Sequence, residues 1–145
     1  MMFDRLTMEM IVDGRKTVSR RIMRNNKRPA IPNSVHTLKI DRTKDIYGYI
    51  YITNVKKEKW SMINEYEAKR EGFDNLEQYK QYFYKINGYI GGDDLVWVVN
   101  FEYMNELQSL NKMTDEDLFY YCCEWSDNNK IINRMYKKLL KMRRK

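Results

Sequence analysis

The segment from residue 15 to residue 28 has the residue types that could do chemistry on a negatively charged partner. Seven of its fourteen residues are basic and none is acidic. It opens at residues 15 to 21 with Arg-Lys-Thr-Val-Ser-Arg-Arg, which sets an amine, two hydroxyls and guanidinium groups beside one another. Clustered positive charge attracts phosphate, and a hydroxyl near an amine is a nucleophile near a base. The segment therefore predicts a site for a nucleotide or nucleic acid.

Helical spacing and alternation predict the elements that must position this segment. Residues 4 to 13 are predicted to form a helix that ends at Gly14, and residues 17 to 22 a strand. In that strand Thr17, Ser19 and Arg21 share one face. The remaining predicted elements are strands at 35–40, 47–55 and 94–103, of which the first two form a hairpin, and helices at 64–70 and 75–86.

The last forty residues differ from the rest in pattern. Thr114 is predicted to cap a helix that begins with three acidic residues, and a second helix carries apolar rows at i, i+4 spacing from Ile131 to Leu140. We therefore expect residues 1–103 to form an α+β domain, a small mixed β-barrel with covering helices. Residues 104–145 are expected to form a C-terminal helical extension that packs on the barrel and has a basic last helix.

Composition limits the classes of protein that this chain can belong to. It has 145 residues, 43% of them hydrophobic, which suits a single core, and its formal net charge is +7. Eight of the 27 basic residues follow position 129, and no acidic residue does. Residues 1–129 therefore carry 19 basic residues and 20 acidic ones. The body is nearly neutral, and the charge is concentrated in one patch and one tail.

Several kinds of site and location are not expected. His36 is the single histidine, which argues against a zinc site or a histidine-based triad, and we predict no metal and no cofactor. The apolar runs are too short to span a bilayer, and the N-terminus lacks the pattern of a signal peptide. Two adjacent cysteines, Cys122 and Cys123, indicate a reducing compartment and not a disulfide framework. A cytoplasmic location is therefore predicted, whereas the oligomeric state is not.

Three blocks of sequence, in order along residues 3–103, resemble the ASCH domain, a member of the PUA-like superfamily. They are residues 14–21 (Gly-Arg-Lys-Thr-Val-Ser-Arg-Arg), 67–73 (Glu-Ala-Lys-Arg-Glu-Gly-Phe) leading into 76–79, and 97–102 (Trp-Val-Val-Asn-Phe-Glu). The resemblance implies a PUA-like β-barrel with a cleft for a nucleobase or RNA. Some bacterial members are amidohydrolases that remove the acetyl group from N4-acetylcytidine with a lysine, a threonine and a glutamate. Those residues match Lys16, Ser19 and Glu71, with serine in place of threonine.

The chemistry of these residue types agrees with that implication. Amide hydrolysis needs a nucleophile, a base and an acid. Neighbouring arginines lower the pKa of a lysine, so Lys16 is the candidate base, Ser19 the nucleophile and Glu71 the acid. Residues three apart in a strand point to opposite faces, so Lys16 and Ser19 converge only if Lys16 lies in the turn after Gly14.

Binding of RNA or of a modified nucleoside is therefore the predicted function, with N4-acylcytidine hydrolysis as the predicted reaction if the chain is an enzyme. DNA is a second candidate partner, and no membrane partner is expected. The residues predicted to bind the nucleic acid or nucleoside are Arg15, Thr17, Arg20, Arg21, Arg24, Lys27 and Arg28.

Other interpretations fit the same residues. A module that binds RNA or DNA without changing it, or a ribonuclease, would use the same basic cleft. The basic patch also fits a solvated face, and Glu71 also fits a partner of Lys69, Arg70 or Lys16. The basic C-terminal helix fits a phosphate-binding surface, a contact with an acidic partner or plain solvation.

Overall fold

A computed structural model describes residues 2–23, 26–40, 46–104 and 114–143 of the chain. These ranges form a mixed α+β fold in which helices cover one curled sheet, as predicted. The strands are β1 Met2–Phe3, β2 Val18–Ile22, β3 Ser34–Ile40, β4 Ile46–Lys59 and β5 Leu95–Met104. The helices are α1 Arg5–Val12, α2 Glu65–Arg70, α3 Leu76–Asn87, α4 Asp115–Cys123 and α5 Asn129–Arg143.

The sheet is a half-barrel with two free edges. Its strand order is β1-β3-β4-β5-β2, and every pair is antiparallel except β1 with β3. The predicted hairpin of β3 and β4 is confirmed, although its turn at 41–45 lies outside the described residues. The two edge strands are β1 and β2, and β2 is part of the basic segment of residues 15 to 28.

Alternate residues of the strands are buried on opposite faces of the sheet. On one face Leu38, Ile50 and Phe101 pack with Met8 and Ile11 of α1. The other face is divided between two layers of helices. Its β2 and β5 end (Val18, Val96, Val98) packs on α2 and α3, and its β3 and β4 end (Val35, Tyr49, Tyr51) packs on α4 and α5. Because both faces of the sheet are buried, the sequence of β5 is a nearly continuous run of apolar residues.

Two features of the fold differ from the prediction in extent. β4 continues to Lys59, past the predicted end of the strand at residue 55, and is followed by a 3₁₀ turn at Trp60–Met62. β1 was not predicted, because two residues are too few for a periodic signal. The two C-terminal helices are confirmed, with Thr114 capping α4, and α5 contacts β3. The division into domains at residue 103 stays a prediction.

None of the helices in the described ranges has the length and apolar character that a bilayer crossing requires.

Burial of His36 on β3 predicts a loss of stability in acid. The imidazole lies 3.0 Å from the Ser34 hydroxyl, and burial lowers the pKa of His36 to about 4, with a smaller contribution from Lys138. As the pH falls, the imidazole of the unfolded chain takes up its proton near pH 6.5, whereas that of the folded chain does so only near pH 4. The folded state therefore keeps its full stability above pH 6.5 and loses stability as the pH falls from 6.5 to 4. Because the ring is half-exposed, we expect the free energy of unfolding to be only about 1 kcal/mol lower at pH 5 than at neutral pH.

Urea unfolding at pH 7.5 and pH 5 measures this effect. His36→Gln should lose less stability than the original chain between the two pH values. Equal pH dependence of the two proteins would exclude His36 as the source.

Candidate active site

A cavity of about 290 Å³ lies at the open edge of the half-barrel. Phe3 of β1, Ser19 and Arg21 of β2, and Tyr82 of α3 contribute to its wall. The guanidinium carbon of Arg21 lies 4.8 Å from the centre of the Phe3 ring, so the two edge strands approach each other here. The cavity therefore occupies the gap that the sheet leaves between its edges.

Lys16 reaches this cavity from the turn between α1 and β2. α1 ends at Val12, and Gly14 takes a φ of +83°, a left-handed conformation that favours glycine. The backbone N–H of Lys16 then donates to the Met10 carbonyl at 3.0 Å, and Lys16 forms an isolated β-bridge with Glu71. Lys16 thus lies before the strand, which satisfies the geometric condition for it to converge with Ser19.

Glu71 is positioned by the end of α2. Asn64 caps the start of this helix, and the backbone N–H of Glu71 donates to the Glu67 carbonyl at 2.9 Å at its end. The following residue, Gly72, has a φ of +98°, and a Cβ atom there would lie 2.5 Å from the sulfur of Met10. Glycine therefore allows the end of α2 to pack closely against α1, which brings Glu71 to Lys16.

The two residues form a buried ion pair inside the cavity wall. Lys16 Nζ lies 2.5 Å from Glu71 Oε1 and also donates to the Val18 carbonyl at 2.8 Å. The exposed fractions of the two side chains are 4% and 1%. The second carboxylate oxygen of Glu71 accepts from Arg20 Nη1 at 3.0 Å. Two cations therefore fix the orientation of this carboxylate.

Arg20 belongs to a wider network of internal ion pairs. Its Nη2 lies 3.1 Å from Glu67 and 3.5 Å from Glu58, in addition to the bond with Glu71. Burial opposes the charge on Arg20, but Glu71 and Glu67 together raise its pKa. Arg70 extends the network by pairing with Glu67 at 3.0 Å. With three carboxylates around a buried guanidinium, Arg20 is arranged to position Glu71.

Lys16 has a lowered pKa, although the main cause differs from the predicted one. Burial is the largest contribution and lowers the pKa, Glu71 raises it, and Arg21 and Arg20 lower it by smaller amounts. The sequence-based prediction attributed the shift to neighbouring arginines alone. Desolvation favours the neutral amine, which is the form that can accept a proton.

The other residues predicted to bind nucleic acid lie in different environments. Arg21 lines the cavity, and burial lowers its pKa. Arg15 is exposed and pairs with Asp13 at 3.2 Å. Thr17 is half-buried, and Lys27 and Arg28 are exposed between β2 and β3; among the described residues, these three and Arg15 are not part of the cavity wall. Arg24 lies outside the described residues.

Sequence reasoning missed five polar residues of the cavity wall, which are Asp4, Thr7, Tyr79, Tyr82 and Asn87. The Tyr82 hydroxyl donates to the Asp4 carboxylate, which also caps α1 by accepting from the Thr7 N–H at 2.8 Å. Burial raises the pKa of both tyrosines, so both are protonated donors at neutral pH. Tyr79 and Tyr82 are three residues apart, which predicts that they share one face of α3. The sequence does not indicate which other element this face packs against.

Comparisons with protein-family models and with curated proteins give no match to this sequence. Several solved structures are similar. An ASCH domain from Lactobacillus crispatus JV V101 has a TM-score of 0.54 and 19% identity over 68% of this chain and 70% of its own. A protein of the DUF984 family from Enterococcus faecalis V583 has a TM-score of 0.53 and 18% identity over 70% and 68%.

A point mutant of the ASCH protein of Zymomonas mobilis is similar over more of the chain. Its TM-score is 0.50 and its identity 18%, with 79% of each chain covered. Identity this low is informative about the fold alone, and the shared architecture agrees with the resemblance in sequence. The described part of this chain therefore has the ASCH-domain fold.

Proposed function

We propose that the cavity binds a modified nucleoside and that the chain hydrolyses the N4-acyl group of an N4-acylcytidine. One observation carries the proposal: Lys16, Ser19 and Glu71 line a single cavity, although Glu71 is 55 positions from Lys16 along the chain. An amine, an alcohol and a carboxyl group can serve as the base, the nucleophile and the acid of amide hydrolysis. The roles come from the resemblance to ASCH amidohydrolases together with this arrangement.

The size and wall of the cavity suit a nucleoside. Its volume of about 290 Å³ is just below the roughly 300 to 1,000 Å³ that is usual for small-ligand pockets. Phe3 and Phe83 offer apolar surface to a base, while Arg21 and Asp4 offer charge of opposite sign to its polar edge. Because the cavity is small, a folded RNA would have to present a single base to it.

Acylation begins with a proton transfer inside the ion pair. Moving one proton across the short Lys16–Glu71 contact produces a neutral amine and a carboxylic acid. The amine of Lys16 takes the proton of the Ser19 hydroxyl as Ser19 Oγ bonds to the acyl carbon. The bond between that carbon and N4 then breaks, and Glu71 donates its proton to the departing nitrogen.

Deacylation reverses the two roles. Water attacks the acyl carbon and gives its proton to the Glu71 carboxylate, while the Lys16 ammonium returns a proton to Ser19 Oγ. One amide and one water thus yield cytidine and a carboxylic acid, and the neutral Lys16–Glu71 pair is regenerated. Arg21 supplies positive charge for the oxyanion that forms in each half-reaction.

Loss of the Lys16 amine is expected to remove the activity. We expect the original chain to release cytidine from N4-acetylcytidine, and Lys16→Met to reduce kcat by roughly 10² to 10⁴-fold, because the general base is lost. Arg15→Met is the matched control, since Arg15 is basic, adjacent and exposed, and its kcat should change less than about twofold. Chromatography of the nucleosides measures both. No turnover by the original chain, or full turnover by Lys16→Met, would reject the proposal.

A second candidate is a module that holds a nucleoside or RNA without changing it. It is favoured by the completeness of the Glu71 contacts, since both oxygens of this carboxylate already accept from cations, one from Lys16 and one from Arg20. Calorimetric titration with cytidine and N4-acetylcytidine separates the two functions. Saturable binding of N4-acetylcytidine without product would favour the module over the enzyme.

A further inference from the structure

The exposed side of α5 carries a row of positive charge. Lys130, Arg134, Lys137 and Lys141 follow one another at intervals of four, three and four residues, so they lie along one side of the helix. Lys138 flanks this line, and all five side chains are exposed. We name these five residues the α5 basic row. No acidic residue occurs anywhere in α5.

Packing fixes the direction in which the α5 basic row points. The opposite side of the helix carries Ile132, Met135 and Leu139, which are 5%, 1% and 2% exposed. They pack with Leu118 of α4 and with the β3 and β4 end of the sheet. The helix therefore cannot turn its charges inward without exposing its core contacts.

The charge of this row is not neutralised within the described part of the chain. None of the ion pairs found there includes a member of the α5 basic row. A helix face that serves only solubility usually mixes positive and negative residues. An uninterrupted row of one sign instead matches a partner with regularly repeated negative charge.

The geometry favours a phosphate backbone over other polyanions. From Lys130 to Lys141 the row extends about 16 Å along the helix axis, which corresponds to roughly five phosphate steps of a nucleic-acid strand. A membrane surface is disfavoured, because the apolar side of α5 is already buried and cannot enter a lipid interface. We therefore propose that the α5 basic row binds the phosphate backbone of a nucleic acid.

This surface is separate from the cavity and does not depend on the proposed hydrolysis. No residue of α5 lines the cavity in the described part of the chain, and α5 packs on the β3 and β4 end of the sheet. A change in the α5 basic row should therefore alter nucleic-acid affinity whether or not the cavity hydrolyses a nucleoside.

The test is fluorescence anisotropy of labelled 20-nucleotide RNA, single-stranded DNA and duplex DNA over a salt series. For the original chain, we expect log K to fall against log salt with a slope of roughly −3, from about 0.7 per phosphate contact on a single strand. The variant K130Q/R134Q/K137Q/K141Q should bind at least about tenfold more weakly and lose most of the slope. The nucleic acid bound most tightly identifies the natural class of partner.

A matched control distinguishes the effect of the α5 basic row from the effect of a lower net charge. The variant R5Q/K56Q/K69Q/K85Q loses the same four charges from exposed positions on α1, β4, α2 and α3. Its affinity should change less than about threefold, since long-range attraction is screened by salt. Circular dichroism and thermal unfolding verify that both variants fold.

Three results would overturn the proposal. The first is equal weakening of binding in the two quadruple variants. The second is the absence of salt-dependent binding to any of the three oligonucleotides. The third is a preference of the α5 basic row for anionic lipid vesicles over nucleic acid, measured by co-sedimentation.

Discussion

Replacing Glu71 with alanine is expected to lower the free energy of unfolding by about 3 to 5 kcal/mol, the cost of leaving buried charges without a partner. The substitution removes the carboxylate that lies 2.5 Å from Lys16 Nζ and 3.0 Å from Arg20 Nη1. Arg20 retains Glu67 and Glu58, but in the described residues Lys16 has no other carboxylate within ion-pair distance. Most of the cost therefore falls on the buried ammonium.

Urea unfolding of the single variants and of their combination measures this coupling. If the cost comes from the unpaired ammonium, removing that ammonium as well should recover part of the stability. The double variant with Lys16→Met and Glu71→Ala should then lose less free energy of unfolding than the two single variants lose together, by roughly 1 to 3 kcal/mol. Glu9→Ala, at an exposed position on α1, is the control and should change stability by less than about 0.5 kcal/mol. Additive effects of the two substitutions would mean that the pair is not energetically coupled.

Ser19→Ala is expected to reduce the hydrolysis of N4-acetylcytidine by at least about 10³-fold, because the attacking oxygen is removed while the rest of the cavity stays in place. Only one hydroxyl is lost from a small side chain, so the fold should tolerate the change. Initial rates of cytidine release, compared at equal concentrations of folded protein, measure the effect.

Two neighbouring substitutions control for a general disturbance of β2. Thr17→Ala removes a hydroxyl from the same segment but from a residue outside the cavity wall, and it should retain the original activity. Ser19→Thr keeps the hydroxyl and should retain part of the activity, as the resemblance to threonine-bearing ASCH members implies. Activity of Ser19→Ala close to that of the original chain would mean that water attacks the substrate directly.

The local elements could be predicted from sequence because each carries its own signal. α1 ends at Val12, shortly before Gly14 reverses the chain, and α2 and α3 begin after the asparagine caps Asn64 and Asn75. Lys16 and Ser19 were identifiable for the same reason, since the basic segment is continuous. Alternation in β2 also predicted correctly that Ser19 and Arg21 share a face.

The assembly of the cavity could not be predicted in the same way, because it depends on contacts between distant parts of the chain. Lys16 and Glu71 are 55 positions apart, and their meeting requires the close packing of Gly72 on Met10. Asp4 and Tyr82 are 78 positions apart and meet where α3 covers the gap between the sheet edges. Burial of Lys16, the main cause of its lowered pKa, also results from this assembly.

Mass spectrometry of a trapped intermediate tests most directly that Lys16, Ser19 and Glu71 form one hydrolytic centre. The protein is mixed with N4-acetylcytidine, quenched in acid within the first turnover and digested. We predict an acetyl group on the Ser19 hydroxyl of the original chain and no acetyl group on Ser19→Ala. Cytidine release with no acetyl on Ser19 at any time, or with the acetyl on the Lys16 amine, would contradict the proposed mechanism.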